Sequence, residues 1–499
     1  MKKRIHSRSK EVKNVKKKKK VRRIPELQSK ALVQLASRCE FFHTPGDRTG
    51  YASIPSGTHQ ETHRIDSSTF KEWLQRKYFR KNGKPPSNQT LNDAIGVLKA
   101  KAKFDGEQHE VFIRVGELEE AVHIDLGDEQ WRSVKITENG RSVLKRSSVK
   151  FRRAPGMLPL PRPERGGNID DLKQLLNLKE SSDFKLIVGW LLAALRPQGP
   201  YPVLALYGEQ GSGKSTMSRI LRMLIDPNLA PIRSTPSNER DLIISALNSW
   251  ILSFDNLSRI PNWLSDSLCR LSTGGGFSTR KLYADSEETL FQVQRPVILN
   301  GIEEIIIRAD LLDRSLLIQL PSIADRERFL EGSLWKEFEE VRPRILGALL
   351  DAVSEALANY EDTTPPRLPR MADMAKWVTA AAPALGWRKK DFLNAYENNR
   401  IQATEIALAA SPVGSAIREL VEYDNWEGTP TELLEALNEC ADENIIRQRG
   451  WPKAAHSLSG KLTRLIPSLR KVGIKIDQTS RGSGYSKERW VVIRNTSVI

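Results

Sequence analysis

The sequence predicts an α/β protein centred on a parallel sheet, with a small α+β domain before it and a helix-and-hairpin domain after it. Three observations carry that expectation. Helical and strand-like patterns alternate over residues 168–325, the signature of a sheet with helices between its strands. One of those strands runs directly into the glycine-rich stretch Gly208-Glu-Gln-Gly-Ser-Gly-Lys-Ser215, and a helical pattern follows. From about Ser411 the pattern changes to three helices and two strands with a Gly-rich tip between them.

A chain of 499 residues is too long for one core, and its segments differ in composition. Residues 1–26 read as a disordered basic tail: the first 23 hold thirteen Lys/Arg against Glu11. The tail therefore supplies most of the net charge of +17. A flexible arm on a nucleic-acid backbone suits it, because counterion release rewards such clusters. A solubilising tail is the plainer alternative. Residues 27–153 read as the small α+β domain, with helices at Ser67–Phe79 and Gln89–Ala102. Strand-like runs follow at Val111–Val115, Ala121–Leu126, and around Val134 and Val143. The Pro- and Gly-rich stretch 154–167 is a linker, 168–325 the sheet-centred core, 326–410 a helical lid-like region and 411–499 the last domain.

No apolar run reaches the roughly 18–20 residues that a bilayer crossing needs, and the basic N-terminus lacks the apolar stretch of a secretory signal. The expected location is cytoplasmic, with no membrane partner. Cys39, Cys269 and Cys440 form no Cys-x-x-Cys pair, so they are expected to be buried thiols rather than zinc ligands.

The strand Val203–Tyr207, the loop Gly208–Ser215 and the helix Thr216–Leu224 fit G-x-x-x-x-G-K-[ST] in the context that gives it meaning. Glycines let backbone N–H groups converge on a phosphate chain at a helix N-terminus. The expected ATP-binding residues are Gly208, Gly211, Ser212, Gly213, Lys214, Ser215 and Thr216. Lys214 would place a charge on the β- and γ-phosphates, and Ser215 a hydroxyl on Mg²⁺. A second strand, Trp250–Phe254, is read as ending on Asp255, where a carboxylate would hold the metal's hydration shell. A third, Pro296–Asn300, ends on Asn300, an amide able to orient an attacking water; a turn-forming Asn-Gly pair is the plainer alternative. A fourth, Ser315–Leu320, follows Arg314, a candidate arginine finger or else half of an ordinary Asp–Arg pair.

These four strands, in this order and within about 110 residues, resemble the superfamily 3 helicases, a branch of the AAA+ ATPases. The segment Leu271–Tyr283 looks like that family's extra motif before a β-hairpin, where Arg280 and Lys281 would touch single-stranded DNA in a ring's central pore. The wider arrangement resembles the primase–helicase-like ATPases of phages and integrative mobile elements. The resemblance implies a P-loop AAA+ core, a ring, expected as a homo-hexamer, and Arg314 reaching the neighbouring subunit's ATP. Asp125 and Asp128 in the small domain read as a strand end and a turn rather than a metal site. One departure concerns hydrolysis: where many AAA+ proteins carry an acid after the strand's Asp, this chain has Asn256. An amide accepts no proton, and Glu209 and Glu287 are the substitutes considered.

The C-terminal helices Pro412–Val421, Thr431–Cys440 and Leu458–Val472, with strands Ile474–Gln478 and Arg489–Ile493, match a winged helix. Lys461 and Arg464 share a face of the third helix, with Leu462, Leu465 and Leu469 packing behind. With Arg481 and Lys487 at the tip, they are the expected duplex-DNA contacts. The functional expectation is an ATP-dependent DNA helicase or replication initiator of a mobile element. The alternatives are an ATP-switched DNA-binding regulator or loader that does not unwind, and a P-loop metabolic kinase, for which no acceptor site is evident.

Overall fold

The computed structural model describes residues 25–280, 288–302, 306, 308–324, 326, 330–448, 450–481 and 488–496. These fall into two units, residues 25–55 with 63–109 and residues 56–62 with 110–496.

The first unit contains α1 (Pro25–Leu35), β1 (Glu40–His43), β2 (Gly50–Ser56), the end of β3 (His59–Arg64), α2 (Ser68–Asn82), α3 (Asn88–Phe104) and β4 (Glu107–Gln108). Its sheet order is β3-β2-β1-β4. Both long helices begin at a serine cap, Ser67 and Ser87, whose hydroxyls accept the N–H groups of Phe70 and Thr90. Helix α2 ends at Gly83, in the left-handed conformation that closes a helix. Leu32, Phe70, Leu74, Ile95 and Leu98 fill the core between helices and sheet. The basic tail ends sooner than expected, since α1 starts at Pro25, a residue pre-set for a first helical turn. Residues 1–24 lie outside the described residues.

The segment 27–153 is divided between the two units. Strands β5 (Val115–Leu118), β6 (Ala121–Asp125), β7 (Ser133–Thr137) and β8 (Gly140–Leu144) form an antiparallel meander in the second unit. The expected strand Val111–Val115 is replaced by β5, which starts only at Val115, because Arg114 adopts φ 64° and breaks the extended run. That kink sends the Arg114 guanidinium inward. It is fully buried, donates to Asp226 Oδ1 at 3.3 Å, and also donates to the carbonyls of Asp125 and Leu158. Asp226 in turn accepts the N–H groups of Trp250 and Ile251 through Oδ2. Burying this pair is tolerable only because nearly every charge-bearing atom is hydrogen-bonded. Asp125 closes β6 and takes a two-pronged donation from Arg153, while Asp128 accepts from Arg132. Both carboxylates are thus committed to arginines.

The second unit continues with α4 (Ser181–Ala194), β9 (Val203–Tyr207), α5 (Lys214–Ile225), α6 (Glu239–Leu247), β10 (Leu252–Leu257) and α7 (Asn262–Thr273). A hairpin of β11 (Gly276–Arg280) and β12 (Glu288–Gln292) follows, then β13 (Val297–Gly301), α8 (Ala309–Leu312) and β14 (Ser315–Gln319). The central sheet is parallel, in the order β10-β13-β9-β14. Its residues divide by parity, as a period of two demands. Leu204, Leu206, Ile298, Leu316 and Ile318 face a core shared with α4 and α5. Val203, Ala205, Val297, Leu299 and Leu317 face a second core with α6 and α7. Burial on both faces explains why these strands read as continuous apolar runs.

Helices α9 (Glu331–Asn359), α10 (Ala372–Ala381) and α11 (Asp391–Ala409) form the helical region. The C-terminal part holds α12 (Pro412–Leu420), β15 (Trp426–Gly428), α13 (Pro430–Cys440), α14 (Glu443–Ile446), α15 (Ala455–Lys471), β16 (Ile474–Arg481) and β17 (Glu488–Asn495). Its sheet has three strands, ordered β15-β17-β16, one more than the expected pair. The protein is thus mixed α/β with several sheets. Among the described residues no helix is long and apolar enough to cross a membrane. Of the cysteines only Cys39 is buried; Cys269 and Cys440 are half-buried, which corrects the expectation that all three are core thiols.

Candidate functional site

The site is assembled at the carboxyl ends of three neighbouring parallel strands. Strand β9 delivers the chain to Gly208, whose φ is 149° and where a Cβ would stand 2.5 Å from the Leu320 carbonyl oxygen. Only glycine fits there. Gly211 and Gly213 also take positive φ, at 83° and 85°, and Gly213 is the residue from which α5 starts. The loop is braced from within by Ser212, fully buried, whose hydroxyl donates to the Glu209 carbonyl. The first turn of α5 carries Lys214, Ser215 and Thr216, all half-buried. Their unpaired N–H groups and the helix dipole make this turn an anion-binding end.

Lys214 folds back over the loop. Its Nζ donates to the carbonyls of Gly208 and Glu209 at 2.8 and 2.7 Å, and to Ser212 Oγ at 3.2 Å. Burial pulls this ammonium below its ordinary range, against the opposing attraction of Asp255. Ser215 Oγ donates to Asp255 Oδ1 at 3.0 Å. A hydroxyl and a carboxylate in contact beside a lysine are oxygen donors of the kind a hydrated divalent cation uses.

Asp255 is not the end of its strand. Strand β10 continues to Leu257, and its pairing with β13 shifts between Phe254 and Leu257, so Asp255 and Asn256 together oppose Asn300. This bulge puts Asn256 at φ 55°, a left-handed conformation that asparagine tolerates better than most residues. The Asn256 N–H is donated to both Asp255 Oδ1 and Asn300 Oδ1, each at 2.9 Å. Asn300 is buried and its Nδ2 donates to Ser218 Oγ at 3.2 Å. Lys214, Ser215, Asp255 and Asn300 are thus brought together.

Two contributors had not been singled out from the sequence. Ser218 lies one turn after Lys214 and accepts from Asn300; its i, i+4 spacing on the helix was a usable signal. Asn177 donates through Nδ2 to the carbonyls of Ser212 and Pro321, clamping the loop. It has no local sequence signature.

Arg314 stands elsewhere. Its carbonyl accepts from Val203 N–H at the amino end of β9, whereas Gly208 follows the carboxyl end. A five-residue strand spans about 16 Å, so Arg314 does not reach the loop of its own chain. Its guanidinium donates to the Asp310 carbonyl at 2.7 Å, and its buried Nε has no hydrogen-bond partner among the described residues.

The expected DNA contacts are less gathered. Arg280 is the last paired residue of β11, opposite Glu288, and Lys281 lies outside the described residues, as does Glu287. On α15, Leu462 and Leu469 are buried and Leu465 is partly so, but Lys461 Nζ donates to the Gly450 carbonyl while Arg464 is exposed. Lys461 therefore braces a loop, unlike the free cation expected. Arg481 closes β16, and Lys487 lies outside the described residues.

Residues 169–399 match the family of actinomycete integrative conjugative element replication proteins, and residues 413–498 match the AICE RepA C-terminal domain. Together the two matches cover well over half of the chain. No curated protein matches the sequence. Among solved structures, the A form apo structure of the NrS-1 C-terminal region is similar at 14% identity and a TM-score of 0.42, over 94% of this chain and 99% of that one. The apo structure of NrS-1 C-terminal region (305-718) is similar at 15% identity and a TM-score of 0.41, with the same shares.

Proposed function

We propose, from the premise that the chain belongs to the actinomycete integrative conjugative element replication proteins, that it is an ATP-dependent DNA helicase or replication initiator. The observation that carries this reading is the contact of Ser215 with Asp255, beside Lys214, at the mouth of a three-glycine loop. The residues fit MgATP. The loop's N–H groups and α5 would cradle the phosphates, Lys214 would leave the loop carbonyls for the β- and γ-oxygens, and Ser215 with Asp255 would hold the metal. The metal's contribution is neutralisation of charge on the phosphate oxygens. Asn300, fixed by Ser218 and Asn256, would present its amide to the attacking water.

The core is read as AAA+, with its site shared between subunits. Arg314, at the sheet edge remote from its own loop, would stabilise transferring charge on ATP held by a neighbour. A ring, read as a homo-hexamer, follows from that sharing. The β11–β12 hairpin with Arg280 and Lys281 would track single-stranded DNA in the pore. The C-terminal part, read as a winged helix, would hold duplex through Arg464, Arg481 and Lys487. One observation favours a second reading, an ATP-switched DNA-binding loader: the amide of Asn256 in place of an acid. Strand displacement from a forked substrate with ATP separates the two. The helicase reading expects unwinding lost in Lys214→Ala; the loader expects oligomers on DNA without unwinding.

A further inference from the structure

We propose that a cleft between α11 and the C-terminal end of α15 is a phosphate-backbone site for one DNA strand, held partly shut by Asp313. The proposal rests on the reading of the chain as a DNA-binding replication protein. The cleft, about 890 Å³, is lined by six cations, Arg367, Arg370, Lys390, Arg400, Arg470 and Lys471. Two carboxylates, Asp313 and Glu397, face them. Asp313 is shared three ways: Arg400 donates to Oδ1 at 2.6 Å, Lys471 at 3.2 Å, and Arg370 stands 3.9 Å from Oδ2. Glu397 pairs with Arg367 at 2.9 Å. Lys390 and Arg470 are exposed and have no ion-pair partner among the described residues. The lining thus carries a net excess of positive charge on a concave surface, which focuses the field on an anion.

A polyanion gains most from such a lining, because each phosphate neutralised releases counterions. The rim favours unpaired bases. Leu368 and Ile401, 63% and 47% exposed, line the same cleft and offer apolar contact to base faces that a duplex hides. Phosphates entering would compete with Asp313 for Arg370, Arg400 and Lys471. Asp313 precedes Arg314, so an occupied cleft acts on the residue next to the proposed finger.

The test uses the full chain and a fluorescein-labelled single-stranded oligonucleotide, with anisotropy read over a salt series. Arg367→Ala/Lys390→Ala/Arg470→Ala, which leaves the Asp313 contacts intact, should weaken binding about tenfold and flatten the log–log salt slope by about 2. Asp313→Asn removes the carboxylate that faces three cations, although Arg400 stays tied to the Leu312 and Ser315 carbonyls, and should tighten binding several-fold, a gain that a damaged fold does not produce. Wild-type affinity and slope in the triple variant, or no gain in Asp313→Asn, overturn the cleft alone. Displacement of the strand by inorganic phosphate at equal phosphate concentration overturns a strand as the occupant. A wild-type chain that binds no oligonucleotide overturns the DNA-binding reading along with it.

Discussion

Asn300 Oδ1 accepts the main-chain N–H of Asn256 at 2.9 Å, tying the tip of one strand to the bulge of its neighbour. The bond fixes the bulge in which Asn256 takes φ 55°. The position beside Asp255 is therefore geometrically defined yet chemically unable to take a proton. Slow turnover with firm nucleotide binding is the expected consequence. Asn256→Asp keeps the size and tolerates the same φ, and it supplies a carboxylate. Steady-state phosphate release should rise by about tenfold or more, whereas Asn256→Gly should leave it at the wild-type level.

Arg314 is expected to act across a subunit boundary. Arg314→Ala should retain nucleotide binding and lose turnover, while Lys214→Ala should lose binding. Mixing the two inactive proteins forms some interfaces that pair an intact Lys214 with an intact Arg314. Partial recovery of ATPase in the mixture, measured against each protein alone, is the expected result.

The core of the site was legible because its strands obey a simple rule. β9 and β13 are apolar on both faces and β10 buries Leu252 and Phe254, and Lys214, Asn300 and Asp255 stand where these runs, or the helix that follows, turn polar. The bulge at Asn256 was not legible, since positive φ leaves no mark beyond a tolerant residue type. Asn177 and Asp313 act through contacts 144 and 87 residues away in sequence, with Pro321 and Arg400, and no local pattern encodes those. β15 escaped notice because three residues show no periodicity. β2 was hidden by Gly50 and Pro55, residues that ordinarily argue against a strand.

The Arg114–Asp226 pair should be costly to break from one side. Arg114→Met leaves the Asp226 carboxylate buried with two backbone donors and only Arg222, 3.8 Å from Oδ2, as countercharge, and should lower unfolding stability by about 3 kcal/mol. Adding Asp226→Asn should recover part of that loss, so the double variant falls short of additivity in a denaturant series.

His123 makes stability sensitive to acid. It is buried on β6 with neither ring nitrogen hydrogen-bonded among the described residues, opposite Lys135 on β7. Burial, helped by the Lys135 charge, pushes its pKa down to about 4. The unfolded chain therefore binds more protons between about pH 6.5 and 4, and stability falls as pH drops through that window. His123→Phe should flatten that fall, by up to about 3 kcal/mol at the acid end, as read from unfolding midpoints at pH 7, 5.5 and 4.5.

The Gly208–Ser215 loop is proposed to bind and turn over ATP in service of DNA work. This is tested most directly by steady-state ATPase of the full chain with Mg²⁺, with and without single-stranded DNA, beside Lys214→Ala. Turnover that DNA raises and that Lys214→Ala abolishes is the expected result. Turnover unchanged by Lys214→Ala, or none in either condition, would contradict it.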